Sequence, residues 1–560
     1  MKRSGTLLIG LAIVVVAYLT VIPLVMLLYG SFNSSPPGVP GRFTWDNYAG
    51  LFRGSQMIVA FKNSVIFSIG TSLVAFVGGV CLAWMTERTN MPLKKAIYAS
   101  VLAPLIVPGL LTTIGWIMLF SRRAGLLNLI ATQYLGFERP IEIYNMVGMI
   151  WILGSDQIPL AFLLLTAAFR SMDPALEEAA IIAGTGIVRT TFQVTFRILS
   201  PAILAVWIIS FVRAIENFEV PALIGIPAGI LVFATEVYLA THKVPTDFGL
   251  ASTFAVVYLA ITAVGIFIYL RATAVSERFT TVTGKGYRPA AFDLGAWRYP
   301  LSLLTLVLAF IIFILPVLSV LWSSFLPFYM APSKEALASL TLDNYRRLVH
   351  LPLIHRAFWN SFFLGISSST LVMLLTAFMA WIVVRTQWPG KGLLDFLAFS
   401  PIAVPGLVLG IAILWLYLTL PVPIYGTIWI LLIAYVIKYL PYGMRACSSS
   451  MHQIQKELEE ASEMSGASWA YTFVRVILPL LVPGFVAGWI YVITHSFREL
   501  STSIMLYRSG TEVLSVVIFE LWDAGQYPEL SALGMTLVVI LVAISLLARW
   551  IGTKFAVQQL

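Results

Sequence analysis

Apolar runs closed off by charge, proline or glycine divide this chain into twelve segments. In the first half they cover roughly 6–29, 63–86, 97–120, 143–168, 200–222 and 251–271. In the second they cover roughly 299–324, 361–384, 394–419, 426–446, 477–500 and 531–552. A helix crosses a bilayer with about 20 apolar residues. The pattern therefore predicts an all-α, polytopic membrane protein with about twelve transmembrane helices.

Composition agrees with the pattern. Of 560 residues, 59% are hydrophobic and 11% charged, against about 45–50% and about 25% in a globular domain. A soluble enzyme, a disordered chain and a fibre are excluded, and membrane lipid is the expected surrounding. The net charge of +9 comes without a dense basic tract, so nucleic acid is not an expected partner. Basic residues gather in cytoplasmic loops. With both termini on one side, 20 Lys and Arg fall in segments on that side and 12 opposite, while Arg213, Lys438 and Arg498 lie inside spans. That bias predicts both termini in the cytoplasm. The apolar run behind Lys2 and Arg3 precedes no small-residue cleavage site, so it is expected as a retained first helix. Cys81 and Cys447 have no partner at metal spacing. The five histidines (His242, His350, His355, His452 and His495) are scattered. No metal site is expected.

The chain repeats itself. Asp46-Asn47-Tyr48 recurs as Asp343-Asn344-Tyr345, Asn63-Ser64 as Asn360-Ser361, Ala83-Trp84 as Ala380-Trp381, and Val107-Pro108-Gly109 as Val404-Pro405-Gly406, all at an offset of 297. Further on, Pro159 matches Pro441, Glu178-Ala179 matches Glu460-Ala461, and Gly184 matches Gly466, at an offset of 282. The change falls where the long loop 121–142 of the first half has a short counterpart near 421–425. Six spans per half make equivalent spans run the same way, a parallel repeat about an axis along the membrane normal. The expected division is a first repeat over 1–270, a cytoplasmic linker over 271–298 and a second repeat over 299–560.

Two cytoplasmic loops stand out. The first runs from Asp173 and Pro174 through Leu176-Glu177-Glu178-Ala179-Ala180 to Gly184. The second runs through Leu458-Glu459-Glu460-Ala461-Ser462 to Gly466. Each reads as a short amphipathic helix with small residues on one side. Asp173 suits the N-cap, Pro174 the first turn, and each glycine the C-terminal turn. A short stiff helix on a cytoplasmic loop can carry force between a soluble partner and the membrane.

Glu-Ala-Ala, three residues, Gly, then an Ile/Val-x-Leu-Pro segment resembles the signature loop of permease subunits of bacterial ABC importers. Glu178, Ala179, Ala180 and Gly184 match it in the first half, and Glu460, Ala461 and Gly466 in the second. Val476-Ile477-Leu478-Pro479 matches the tail, whereas the first copy has Phe196-Arg197 in place of Leu-Pro. Both halves look like one six-helix permease domain. The fused form is most similar to the ferric-iron permeases, with thiamine, phosphonate and polyamine permeases as near relatives. Residues Glu216-Asn217-Phe218-Glu219-Val220-Pro221 and Phe497-Arg498-Glu499-Leu500-Ser501 resemble segments of the iron type. The resemblance implies a type I importer permease fold in the bacterial inner membrane. It implies coupling through both loops to two copies of an ABC ATPase, and a periplasmic or lipid-anchored binding protein that delivers cargo. It implies no cofactor in this chain, with ATP and Mg held by the ATPase. Neither Gly284-Lys285-Gly286 nor Gly390-Lys391-Gly392 has the Ser or Thr of a nucleotide-binding loop, so hydrolysis is expected in a separate subunit.

Ionisable residues inside spans are costly and face a cavity or a partner. Asp156, Arg213, Glu216, Glu219, Lys438, Arg498 and Glu499 are the candidates for the translocation pathway and its gate. Arg213, Glu216 and Glu219 share a broad helix face toward the outer half. At the 282 offset Asp156 aligns with Lys438 and Glu216 with Arg498. If those helices meet, each pair would bridge the halves. Carboxylates along a path suit a hard cation such as Fe(III). An ion-gradient-driven secondary transporter also has twelve spans in two parallel halves, but it has no use for the duplicated Glu-Ala…Gly loop.

Overall fold

The computed structural model describes residues 2–173, 175–276 and 292–557. Pro174 and most of the linker expected over 271–298 lie outside them. Among the described residues, nine helices are long and apolar enough to cross a membrane, or up to thirteen if each of four bent pairs counts as one span. The all-α, polytopic architecture stands as expected.

The departures have local causes. The segments expected as single spans over 97–120 and 394–419 are each broken, into Lys94–Ile106 and Gly109–Leu119 bent by 107°, and Lys391–Ala403 and Gly406–Thr419 bent by 112°. The repeated Val-Pro-Gly does this. A residue before proline is pushed out of the helical region, and Val107 and Val404 are extended, with ψ of 134° and 108°. Helix then restarts at the glycine. By contrast Pro159 and Pro441 sit inside the continuous helices Met146–Ser171 and Ile428–Gln453.

The span expected over 200–222 stops at Glu216. The Asn217 side chain accepts the Val220 N–H at 3.0 Å, drawing the backbone out of the helix. The same device ends the equivalent helix Val482–Phe497, where Glu499 accepts the Thr502 N–H at 2.9 Å. Residues 223–242 fall between expected spans, yet the chain forms the short helices Pro221–Ala228 and Phe233–His242 here.

The chain forms two compact units that cut across the sequence repeats. One comprises Met1–Gly54, Val237–Leu259 and Tyr345–Leu560, the other Ser55–Glu236 and Ala260–Asn344. Each unit thus contains the leading helix of one repeat and the bulk of the other. In the first unit, helix Ile22–Ser31 lies so close to helix Gly406–Thr419 that a Cβ on Gly30 would strike the Trp415 indole at 2.3 Å. Trp415 is wholly buried and donates to Ser252 Oγ at 2.7 Å. In the second unit, a Cβ on Gly115 would meet the Pro316 carbonyl at 2.2 Å, and Ser319 Oγ donates to the Gly115 carbonyl at 3.0 Å.

The repeated polar residues are the joints of these units. Asn47 donates to the Ser31 and Asn33 carbonyls, and Asn344 to those of Ser324 and Leu326. Asn63 donates to the Leu231 carbonyl while Ser64 accepts the Phe233 N–H. In the other repeat Asn360 donates to the Gly510 and Glu512 carbonyls while Ser361 accepts the Leu514 N–H. Each amide satisfies backbone carbonyls beside a loop turn. Asn344 is buried with the carbonyls it satisfies, so deleting it leaves acceptors unpaired, at about 1–3 kcal/mol. Asn344→Ala should therefore lower the thermal unfolding midpoint of the purified protein in detergent. A midpoint unchanged from wild type would show that the joint contributes nothing.

Candidate coupling loops and intramembrane charges

The first loop folds as helix Ala175–Ile182. The Asp173 carboxylate accepts the Ala175 N–H at 2.9 Å. At the other end Gly184 adopts φ +87°, where glycine alone is free of strain. The Thr185 N–H reaches the Ala180 carbonyl at 3.1 Å and the Gly184 N–H reaches Ile181 at 2.8 Å, a Schellman closure. The second loop, helix Glu457–Met464, ends the same way. Gly466 has φ +85°, and the Ala467 and Gly466 N–H groups reach the Ser462 and Glu463 carbonyls at 3.2 and 2.9 Å. A π-helical turn follows each loop, at Thr191–Thr195 and Phe473–Ile477.

What fixes each loop is a carboxylate one position before the expected one. Glu177 is buried and faces Arg88 Nε at 2.9 Å. Arg88 ends the long helix Gln56–Arg88 and also donates to the Phe169 carbonyl at 2.9 Å. Thr195 Oγ1 donates to Glu177 as well. In the second loop Glu459 faces Arg385 Nε at 2.7 Å. Arg385 ends helix Pro352–Arg385 and donates to the Met451 carbonyl at 3.2 Å and to that of Ile454. Trp381 Nε1 donates to Glu459 at 3.3 Å. Arg88 and Arg385 are related by the 297 offset, Glu177 and Glu459 by 282, and Phe169 and Met451 by 282. The repeat alignment carried this signal; only the match to Glu-Ala-Ala directed attention to the next residue.

The expected coupling residues are the accessible ones. Glu178 and Ala180 are half-buried, and Ala179, Gly184, Glu460, Ala461 and Gly466 are exposed. Glu460 pairs with Lys456 at 3.0 Å on the surface, a contact that raises the lysine pKa through its hydrogen bond. Beside them stand large apolar side chains at matching positions: Leu176 and Leu458, 54% and 45% exposed, and Ile182 and Met464, 87% and 89% exposed. Two anchored helices thus present the same apolar tip.

The intramembrane charges gather at the two helix breaks, unit by unit. A Cβ on Gly109 would lie 2.8 Å from Glu219 Oε2 and 3.6 Å from Asp156 Oδ2, so both carboxylates converge on that glycine. Thr112 Oγ1 donates to Asp156 at 3.2 Å. In the other unit a Cβ on Gly406 would lie 2.8 Å from Lys438 Nζ. Lys438 pairs with Glu499 at 2.6 Å, and Tyr439 donates to the same carboxylate at 3.2 Å. The lysine expected to reach Asp156 thus has a counter-ion in its own unit. Glu216 and Arg498 sit half-buried at or just past the ends of their helices, and Arg213 is exposed.

Each repeat thus holds a helix broken at Val-Pro-Gly and a short loop helix anchored by an ion pair. Residues 372–556 match the family described as binding-protein-dependent transport system inner membrane component. The second repeat thus carries a domain of that family, and the chain as a whole resembles permeases of binding-protein-dependent importers. It is similar to the ferric transport system permease protein FbpB of Actinobacillus pleuropneumoniae, with 27% identity over 502 residues, 88% of this chain and 71% of that one. It is also similar to the spermidine/putrescine transport system permease protein PotC of Haemophilus influenzae, 27% identical over 210 residues, 38% of this chain and 81% of that one. The crystal structure of a bacterial ABC transporter involved in the import of the acidic polysaccharide alginate aligns with 50% of this chain and 98% of its own, at 20% identity and a TM-score of 0.41.

Removing one partner of a largely buried ion pair strands the other, at about 3 kcal/mol or more. Lys438→Ala should destabilise the protein by that order, and Lys438→Met with Glu499→Gln should recover most of the loss in the thermal midpoint. A double variant as unstable as the single would show that the pair does not act as a unit.

Proposed function

We propose that this permease imports Fe(III), received from a periplasmic or lipid-anchored binding protein and driven by two copies of a separate ABC ATPase that holds ATP and Mg. The observation that carries the coupling is the duplicated, anchored loop helix with its exposed apolar tip. Leu176 and Ile182 on one, and Leu458 and Met464 on the other, are surfaces that a groove in a soluble partner would cover. Glu178 and Glu460 flank the tips as charges for the rim. Movement of the tips reaches the spans through Arg88 and Arg385, which end long helices. Both repeats, 1–270 and 299–560, then contribute to one pathway, with both termini in the cytoplasm.

The Fe(III) reading is supported by the ferric relative that aligns along nearly the whole fused chain, and by the carboxylates Asp156 and Glu219 converging on one break, since hard cations prefer oxygen ligands. Lys438 and Glu499 at the other break, together with Arg213, Glu216 and Arg498, are assigned to the gate. A polyamine cargo is the second reading, favoured by the relative that aligns with part of the chain; it too is cationic.

The test reconstitutes the chain with the ATPase encoded beside it and adds binding proteins loaded with Fe(III), thiamine, a phosphonate or a polyamine. Stimulation by the Fe(III)-loaded protein alone is expected. Ile182→Asp or Met464→Asp should weaken ATPase association about tenfold to a hundredfold, since covering an aliphatic side chain is worth about 1.5–3 kcal/mol. Uptake driven by an ion gradient with no ATPase bound would overturn the importer assignment. Stimulation by another loaded protein would overturn only the cargo.

A further inference from the structure

The segment that enters the second repeat is sewn to the anchor of the first loop. The Phe292 N–H donates to the Arg88 carbonyl at 2.8 Å, and the Asn90 N–H donates to the Phe292 carbonyl at 3.1 Å. Together they make a parallel bridge between Thr89 and Phe292. The Asn90 side chain extends it: Nδ2 donates to Asp293, and Oδ1 accepts the Leu294 N–H at 3.0 Å. Ser302 Oγ donates to the Pro92 carbonyl at 3.1 Å. Phe292 is buried, its ring 6.3 Å from that of Trp84, one helical turn before Arg88. The backbone of Arg88 is therefore gripped from one side while its guanidinium grips Glu177.

Among the described residues the second loop has no such backbone grip. At the 297 offset Thr89 and Asn90 correspond to Thr386 and Gln387. Among the described residues no bridge forms there, and the Thr386 carbonyl accepts from Lys391 Nζ at 3.1 Å. The ion pairs differ in the same sense: the Arg88 and Glu177 side chains are 2% and 5% exposed, those of Arg385 and Glu459 12% and 13%. Thr195, whose hydroxyl adds a bond to Glu177, has Ile477 as its counterpart, and Glu459 takes its further bond from Trp381 Nε1 at the longer distance of 3.3 Å.

We propose that residues 292–294 form a strap that stiffens the first loop through Arg88, so that the two loops respond unequally to the ATPases. The functional half of this statement rests on the loops being coupling helices; the mechanical half does not. The strap is a positioning element. It touches no cargo, and it makes helix Ala175–Ile182 move with helix Gln56–Arg88 as one body, whereas helix Glu457–Met464 retains freedom of its own.

Hydrogen–deuterium exchange of the full chain in lipid nanodiscs tests this without any ATPase. Residues 175–184 should exchange about tenfold more slowly than 457–466, the factor expected for one additional well-formed restraint on local opening. Phe292→Pro, which removes the N–H donor, should bring 175–184 to the rate of 457–466 and leave the latter unchanged. Asp293→Ala keeps every backbone bond and should move 175–184 the same way by less. With the ATPases added, Asp293→Ala should lower transport per ATP hydrolysed while ATP hydrolysis itself persists. Equal exchange of the two loops in the unaltered chain overturns the proposal. So does an unprotected Asn90 amide accompanied by wild-type exchange at 175–184 in both variants. Failure of ATPase binding would strike the importer reading and leave the exchange result standing.

Discussion

An arginine–glutamate pair, present twice, is the contact on which both loop helices depend. An eight-residue helix cannot hold itself in water, because nucleation costs more than so few turns return. Helices Ala175–Ile182 and Glu457–Met464 persist because a carboxylate in each is tied to the end of a membrane-length helix. Taking both charges out of water is expensive and returns little net stability, so a hydrophobic pair would hold the loop as well. What the ion pair adds is direction. The guanidinium of Arg88 bonds Glu177 and the Phe169 carbonyl together, and Arg385 joins Glu459 to the Met451 carbonyl. Loop, long helix and the helix before the loop meet at one point in each repeat.

Deeper in the chain the same economy appears at the helix breaks. Proline ejects the preceding valine from the helix, glycine restarts it, and the missing Cβ leaves room for a charged side chain. At Gly109 that space receives Glu219 and Asp156, at Gly406 Lys438. Asn217 and Glu499, equivalent by the repeat, both cap the break in the following span. In the second repeat the capping residue is also the counter-ion of Lys438, so the ion pair and the helix break cannot be altered separately. One scaffold thus carries two carboxylates at one break and a neutralised pair at the other.

Much of this was legible in the chain because bilayers allow few solutions. Backbone groups in lipid must be satisfied internally, so apolar runs could only be helices, and matching motifs in each half could only mean a repeat. The bends were less legible: 97–120 and 394–419 read as single spans, since hydropathy sums over residues and is blind to the turn that Val-Pro-Gly imposes. The short helices between 223 and 242 lie outside the apolar runs long enough to span a bilayer, so hydropathy does not mark them. The Glu-Ala-Ala motif points to Glu178 and not to Glu177, because a motif records which residues recur, and the buried partner of a pair is identified only by what faces it. The strap at Phe292 had no sequence signal at all; three residues of extended backbone leave no period.

The central claim is that the paired charges, and not merely the shape of the loops, link the loop helices to the spans. Charge exchange at Arg385 and Glu459 tests it most directly, with transport and ATP hydrolysis measured together in the reconstituted complex. Arg385→Glu and Glu459→Arg alone should each abolish transport while hydrolysis continues uncoupled, and the two together should restore a substantial part of transport per ATP. If the exchanged chain transports no better than either single variant, or if the single variants remain coupled, the ion pair is a packing detail and the account is wrong.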